Sequence, residues 1–474
     1  MIHTKFTNIL IAHSILALSA CSSFSTIKPK LTYIEAPAKW SVDESVPASD
    51  ATSLVNWWQR FDDPLLVKLV QQAQQANTSI TGAKAALVEA RALRDVSEAA
   101  LWPTLNTSAS AQRSKSGGNS ASNHFSAGLD AAWEIDVFGK NRSGMNASEA
   151  SAQASLANLG DVQVSIAAEV ALDYIALRNA QARLNIANTN LTSQLETLQI
   201  TKWRTQAGLV SSLDAEQARV SAEQTRAQIP ALQTSIEQMS HALAVLTGQV
   251  PAALLKYLSA PSAVPQAADD LALSFPAETL RHRADVRAAE YKVSANVALL
   301  SQANVARLPS FTLGGSLGLS SLTLGSLTSG SSVVTSLLAN VAMPLFDAGA
   351  RQAKVRAQEA VLEQSRIAYQ ATVLLALQET EDALVAMRGD IDRLSRLKLA
   401  AEAASNAAVM ARQQYDSGLI DFQTVLETQR SLLSTQDGVA IATADVSADH
   451  VRLYKALGGG WISDSDADQS NLKK

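Results

Sequence analysis

Cysteine and histidine are few in this sequence, and their spacing argues against a catalytic centre. Cys21 is the only thiol among 474 residues, so neither an internal disulfide nor a multi-cysteine zinc site can form. Four histidines follow the first twenty residues, His124, His241, His282 and His450, and none stands at metal-ligand spacing. Gly314-Gly315-Ser316-Leu317-Gly318 fits the pattern of a nucleophile elbow. That chemistry needs the serine at a strand-to-helix turn, whereas Ser316 stands inside an alternating strand pattern. No Gly-rich phosphate loop and no dinucleotide fingerprint is present, so no enzyme, cofactor or metal is expected. Lys and Arg total 39 against 44 Asp and Glu, and a net charge of −5 offers nucleic acid no general attraction.

Cys21 has another chemistry open to it. Lys5 precedes an apolar stretch from Ile9 to Leu18, shorter than the roughly 20 residues of a spanning helix and sized like a secretory leader. The tetrad Leu18-Ser19-Ala20-Cys21 resembles the bacterial lipobox, in which the cysteine thiol accepts diacylglycerol and the α-amino group freed by cleavage is then palmitoylated. Cys21 is therefore the lipid-attachment candidate, residues 1–20 the cleaved signal peptide, and 21–60 an extended lead-in. Ser22 stands where an aspartate would retain many such lipoproteins in the inner membrane, so the resemblance implies the outer membrane. After residue 21 no apolar run reaches 18 residues, and no transmembrane helix is expected.

The strands are legible from alternation. Within 124–137, Phe125, Ala127, Leu129, Ala131, Trp133, Ile135 and Val137 take one face, with Ser126, Gly128, Asp130, Glu134 and Asp136 on the other. The same period of two predicts strands over about 104–114, 309–320 and 333–346. Each is as long as a tilted membrane strand, about 10 residues, and has one apolar face; alternation alone fits a soluble sandwich with a wetted side as well. Trp133 and Phe125 suit an interfacial aromatic girdle or simple packing equally.

Two long helical runs follow, from Lys140 to about Gln206 and from Ala350 to about Tyr415, both free of proline. At 1.5 Å per residue each extends about 100 Å. Val170, Leu177, Leu184, Leu191 and Leu198 recur every seven residues, as do Leu377, Leu384 and Ile391, which predicts coiled-coil packing. Pro230 is expected to kink or break the shorter helix after the first turn.

These elements occur twice. Ala207-Gly208-Leu209-Val210 parallels Ser417-Gly418-Leu419-Ile420 at an offset of 210, Leu101 to Leu105 parallels Arg307 to Phe311 at 206, and Val137-Phe138-Gly139 parallels Leu345-Phe346-Asp347 at 208. A period this long is a two-fold duplication of a whole unit, over 61–260 and 261–460, with a tail at 461–474. Four strands are too few to close a barrel in lipid, where about eight is the minimum, so the chain must oligomerise. Periodicity alone does not choose between two copies and three.

The lipobox, Trp57-Trp58 with Phe61-Asp62-Asp63-Pro64-Leu65, the junction Trp133 to Gly139, the run Pro344 to Gly349 and the two Gly-Leu turns together resemble the TolC and OprM outer-membrane factors, in their NodT-like lipoprotein branch. The resemblance covers residues 21 to about 460. It implies an α+β membrane protein: a homotrimer in which four strands per protomer build a twelve-stranded transmembrane β-barrel that continues into a coiled-coil tunnel of twelve helices, an α-barrel. Such a duct is the passive exit of a tripartite efflux pump for drugs or other small molecules, held in outer-membrane lipid and extending into the periplasm. Its implied partners are a periplasmic adaptor and an inner-membrane transporter of RND type.

Site residues follow from that resemblance and the turn positions. Gly208, Leu209, Gly418 and Leu419 are the adaptor-contact tips; their alternative is a glycine C-cap with a buried leucine. Gln423, Glu427 and Arg430 match the positions of the periplasmic gate, although relatives commonly carry aspartate at Glu427 and an apolar residue at Gln423. A plain i, i+3 ion pair is the other role open to Glu427 and Arg430. Asp214 and Asp421 suit an acidic ring in the tunnel or caps for the following helices. Ala284 replaces a proline that many relatives carry. A function of another class, a lipid-anchored coiled-coil scaffold without transport activity, makes membrane attachment depend on Cys21 alone.

Overall fold

The computed structural model describes residue 40 and residues 54–117, 120–267 and 280–461. The leader, Cys21 and the tail beyond Trp461 lie outside the described residues. Helices dominate. A 3₁₀ turn, Trp57–Phe61, leads into α1 (Pro64–Ala76), α2 (Thr78–Ala99), strands β1 (Thr104–Ser114) and β2 (Ser122–Ile135), α3 (Lys140–Gln206) and α4 (Ser212–Leu246). Then come α5 (Ala284–Val305), β3 (Ser310–Ser321), β4 (Val333–Ala342), α6 (Ala350–Asp416) and α7 (Phe422–Ala456). Two compact units divide the chain: one holds residues 90–152 and 290–368 with the sheet, the other residues 34–89, 153–289 and 369–474 with most of the helical mass.

In the first unit the strands form one antiparallel sheet in the order β1-β2-β3-β4. Its register aligns like with like: Leu105 faces Ala131, Ala131 faces Gly315 and Gly315 faces Leu337, while one step away Asn106, Asp130, Ser316 and Ser336 form a polar row. A slip of one residue would turn every side chain to the wrong face, so the alternation itself fixes the pairing. Two strands end earlier than their patterns suggest. β2 stops at Ile135 because Asp136 turns to cap the next helix, its carboxylate accepting from the backbone N–H of Asn141 at 3.1 Å and of Arg142 at 2.8 Å. β4 stops at Ala342, two residues short of Pro344, which has no N–H to give a ladder. Asp347 there accepts from Gly349 N at 3.0 Å and Arg351 N at 3.1 Å.

α3 and α6 are each 67 residues long, the larger part of each in the second unit, and α4 and α7, each 35, lie wholly within it. Val170, Leu177 and Leu198 are buried and Leu184 and Leu191 half-buried, as the heptads require. In α6 the strict repeat fails at Ile391, which is 44% exposed, and Leu394 is buried instead against Ala442 and Val446. A straight helix drifts about 20° per heptad, which passes the seam to the neighbouring position. Pro230 does not break α4, which runs through it unbroken. Both Pro230 and Arg226 are exposed, so the carbonyl that loses its donor lies open to water. At α5 the helix begins at Ala284 without a proline; Arg283 and Asp285 hold the start by two hydrogen bonds at 2.7 and 3.1 Å.

The core of this unit is mostly aliphatic, with an aromatic cluster at the chain entry. Trp57 packs edge-on against Trp58 and Phe61 and lies 5.5 Å, centroid to centroid, from Tyr454. Tyr174 donates to Asp63 at 2.8 Å, and Asp63 also caps α1 by accepting from Leu65 and Leu66 N–H. This carboxylate thereby ties the chain entry to the centre of α3.

Candidate functional site at the helix-hairpin turns

The turns that join α3 to α4 and α6 to α7 have the same construction. Gly208 and Gly418 both adopt φ +71°, a left-handed conformation that a side chain would strain. Leu209 N–H bonds to Arg204 O at 2.8 Å and Gly208 N–H to Thr205 O at 3.0 Å; Leu419 and Gly418 repeat this with Gln414 O and Tyr415 O at 2.9 and 3.0 Å. Each is a Schellman closure that satisfies the last helical carbonyls. The leucines are not buried against their turns: Leu209 is 74% and Leu419 76% exposed. Exposed apolar side chains on rigid turns are what a partner surface would use.

Both following helices start on caps. Ser211 N–H donates to Asp214 at 3.1 Å while Ser211 Oγ accepts from Asp214 N at 3.4 Å, a capping box. Asp421 accepts from Thr424 N at 2.9 Å and Thr424 Oγ1 at 2.7 Å, and these bonds, the hydroxyl first, hold its carboxyl below the ordinary range. Asp421 is exposed and Asp214 half-buried, and both face the N-terminal ends of helices, where negative charge is favoured.

Beyond the cap, α7 is two-sided. Phe422, Val425 and Leu426 are buried against Leu198 and Ala218, whereas Gln423, Glu427 and Arg430 are exposed at i, i+4 and i+7 on one stripe. Among the described residues neither Glu427 nor Arg430 pairs with an opposite charge, so the i, i+3 ion pair is not formed. The sequence reading missed the charges that do pair here: Arg204 with Asp416 at 3.2 Å and Arg412 with Glu196 at 3.6 Å, with the Arg204 guanidinium 4.7 Å from the Tyr415 ring centre. Arg204 and Asp416 lie 212 residues apart, and only the offset between the two turns hinted that they meet.

In the sheet unit, Ser316 Oγ pairs with Ser336 Oγ at 2.7 Å inside a strand, which removes the nucleophile-elbow reading. Ser108 donates to Asp130 at 3.0 Å and Lys140 pairs with Glu134 at 3.0 Å along the polar face. Trp133 donates its indole N–H to Leu101 O at 2.9 Å. The opposite face leaves Leu105, Leu129, Leu317, Leu337 and Val341 exposed. Among the described residues no helix is long and apolar enough to cross a membrane, and no three His, Cys, Asp or Glu side chains gather closely enough to hold a metal ion.

The profile of the family described as outer membrane efflux protein matches residues 69–249 and again 275–459. The chain belongs to the outer membrane efflux protein family. This outer-membrane efflux channel is 32% identical to the solvent efflux pump outer membrane protein SrpC of Pseudomonas putida, over 87% of this chain and 89% of that one. It is 30% identical to the pyoverdine export outer membrane protein OpmQ of Pseudomonas aeruginosa, over 96% and 98%. Among solved structures, the outer-membrane channel OprN is 33% identical and superposes with a TM-score of 0.83 over 90% of this chain and 99% of that one. These relatives are efflux channels and not enzymes, and the resemblance to the outer-membrane factors holds.

Proposed function

We propose that three copies of this chain close one twelve-stranded barrel in the outer membrane and one helical tunnel in the periplasm, as the passive exit duct of a tripartite pump. The observation that carries this is the sheet: β1 and β4 each have one strand neighbour among the described residues, and one face is exposed and apolar. In lipid an unpaired edge is costly, and a ring of identical subunits gives every edge a partner. The paired helix lengths and the two stretches matched by the family profile support an internal duplication.

In this reading Cys21 carries the lipid, and Gly208, Leu209, Gly418 and Leu419 meet a periplasmic adaptor, which couples the duct to an inner-membrane transporter of RND type. Gln423, Glu427 and Arg430 line the gate. Asp214 and Asp421 cap their helices and, in three copies, form acidic rings. The cargo is left to the transporter, consistent with relatives named for solvents and for pyoverdine. Mass measurement of the detergent-extracted protein tests the assembly: a trimer supports it, and a monomer with outer-membrane abundance intact overturns it.

A further inference from the structure

Along the seam between α3 and α7 three polar pairs interrupt the apolar packing. Gln429 Nε2 donates to Thr197 Oγ1 at 3.0 Å, and Asn190 Nδ2 donates to Gln436 Oε1 at 2.8 Å. Arg183 grips Asp437 with two bonds, Nε to Oδ1 at 2.6 Å and Nη2 to Oδ2 at 3.1 Å. Positions 183, 190 and 197 are seven apart on α3; 429 and 436 are seven apart on α7, which runs the other way. Thr197, Asn190 and Gln429 are buried.

Ala and Leu seams tolerate slippage because one heptad resembles the next, and polar pairs remove that freedom. Sliding α7 by one heptad moves it about 10 Å. In one direction Arg430 takes the place of Asp437 and meets Arg183, like charge against like, while Phe422 faces the Thr197 hydroxyl. In the other, Ala444 faces Arg183 and leaves its guanidinium without a carboxylate. The charged rung is thus the one that rejects both slips.

We propose that Arg183–Asp437, at one end of a row continued by Asn190–Gln436 and Thr197–Gln429, is a register lock that fixes the axial position of α7 on α3. These are positioning residues: they set the height at which the exposed stripe Gln423, Glu427 and Arg430 stands, and through it the permeability of the closed duct. That consequence rests on the exit-duct reading above; the lock itself rests on the helix pairing.

The test is charge reversal and exchange in the full-length protein. Arg183→Asp, Asp437→Arg and the double exchange are compared at equal outer-membrane abundance, with two readouts. One is the distance between spin labels at the exposed positions Asn188 on α3 and Ser431 on α7. The other is uptake by intact cells of a bulky antibiotic that the wild-type strain excludes. Each single reversal is expected to shift or broaden the label distance and raise uptake several-fold, and the exchange to restore both. Singles that leave the distance unchanged, or an exchange that restores nothing, would overturn the lock. Should the singles fail to assemble, an exchange that assembles with the wild-type distance supports it, and an Asp437→Asn protein indistinguishable from wild type overturns it. If instead the duct reading is wrong, the wild-type gene fails to restore efflux to deleted cells while the label distances still report on the lock.

Discussion

Gly208 and Gly418, 210 residues apart, hold the same backbone angle and close the same two hydrogen bonds, each leaving the leucine that follows it in solvent. A Cβ at either glycine would meet nothing within 4 Å, so the demand for glycine is conformational and not steric. The shared geometry is therefore a property of the turn itself.

Gly418→Ala is expected to lower stability by about 1 kcal/mol, the cost of a left-handed side-chain residue, with no change elsewhere. Gly160→Ala should cost more: its Cβ would lie 2.6 Å from the Trp461 ring, whose indole N–H is held by His282 O at 2.7 Å. Thermal melts rank the two, and tryptophan emission should shift only for Gly160→Ala.

Two carboxyl groups give stability opposite pH signs. Asp421 is held low by its bonds to Thr424, so its contribution is present at neutral pH and is lost as pH falls through the depressed value. Amide exchange at the start of α7 should accelerate in acid, and Asp421→Asn should flatten that dependence. Asp173 is pushed up from 3.8 to about 6 by burial, with Glu169 adding repulsion, so stability declines as pH rises across that window. Asp173→Asn should raise the neutral-pH melting point by about 1 kcal/mol equivalent, reduced from the full shift because the group is partly solvated.

Arg283 is buried and binds Asp285, Glu379 at 2.7 Å and Ala456 O at 3.0 Å, joining α5, α6 and the end of α7. Arg283→Met should cost about 2 kcal/mol, below the usual figure for a broken buried pair because Glu379 is partly exposed. Arg226→Ala removes only an exposed pair with Glu223 and should change the melting point little.

Cys21→Ala should abolish labelling by a clickable palmitate analogue yet leave the protein in the membrane fraction, held by the proposed barrel. Release into the soluble fraction would favour the anchored scaffold instead.

Much of this was legible along the chain. The bounds of α3, the glycine turns and the faces of all four strands are local patterns, and each survives in the fold. The end of β2 was not, because Asp136 leaves its strand to cap a helix, a choice made by backbone N–H groups five and six residues on. Ile391 shows the limit of a strict heptad on a straight helix, and Pro230 shows that an exposed proline need not end one. The pairs Arg204–Asp416 and Arg183–Asp437 join residues more than 200 positions apart, and no local period encodes them. Their detection needs the antiparallel register of the helices, which is itself a product of folding.

Retention of a fluorescent dye in cells lacking this gene and other such ducts decides whether the chain is a duct that works through a docked partner. The wild-type gene should restore efflux, and a Gly418→Trp variant of equal outer-membrane abundance should not. Retention that the wild-type gene leaves unchanged across many compounds would rule out such a duct.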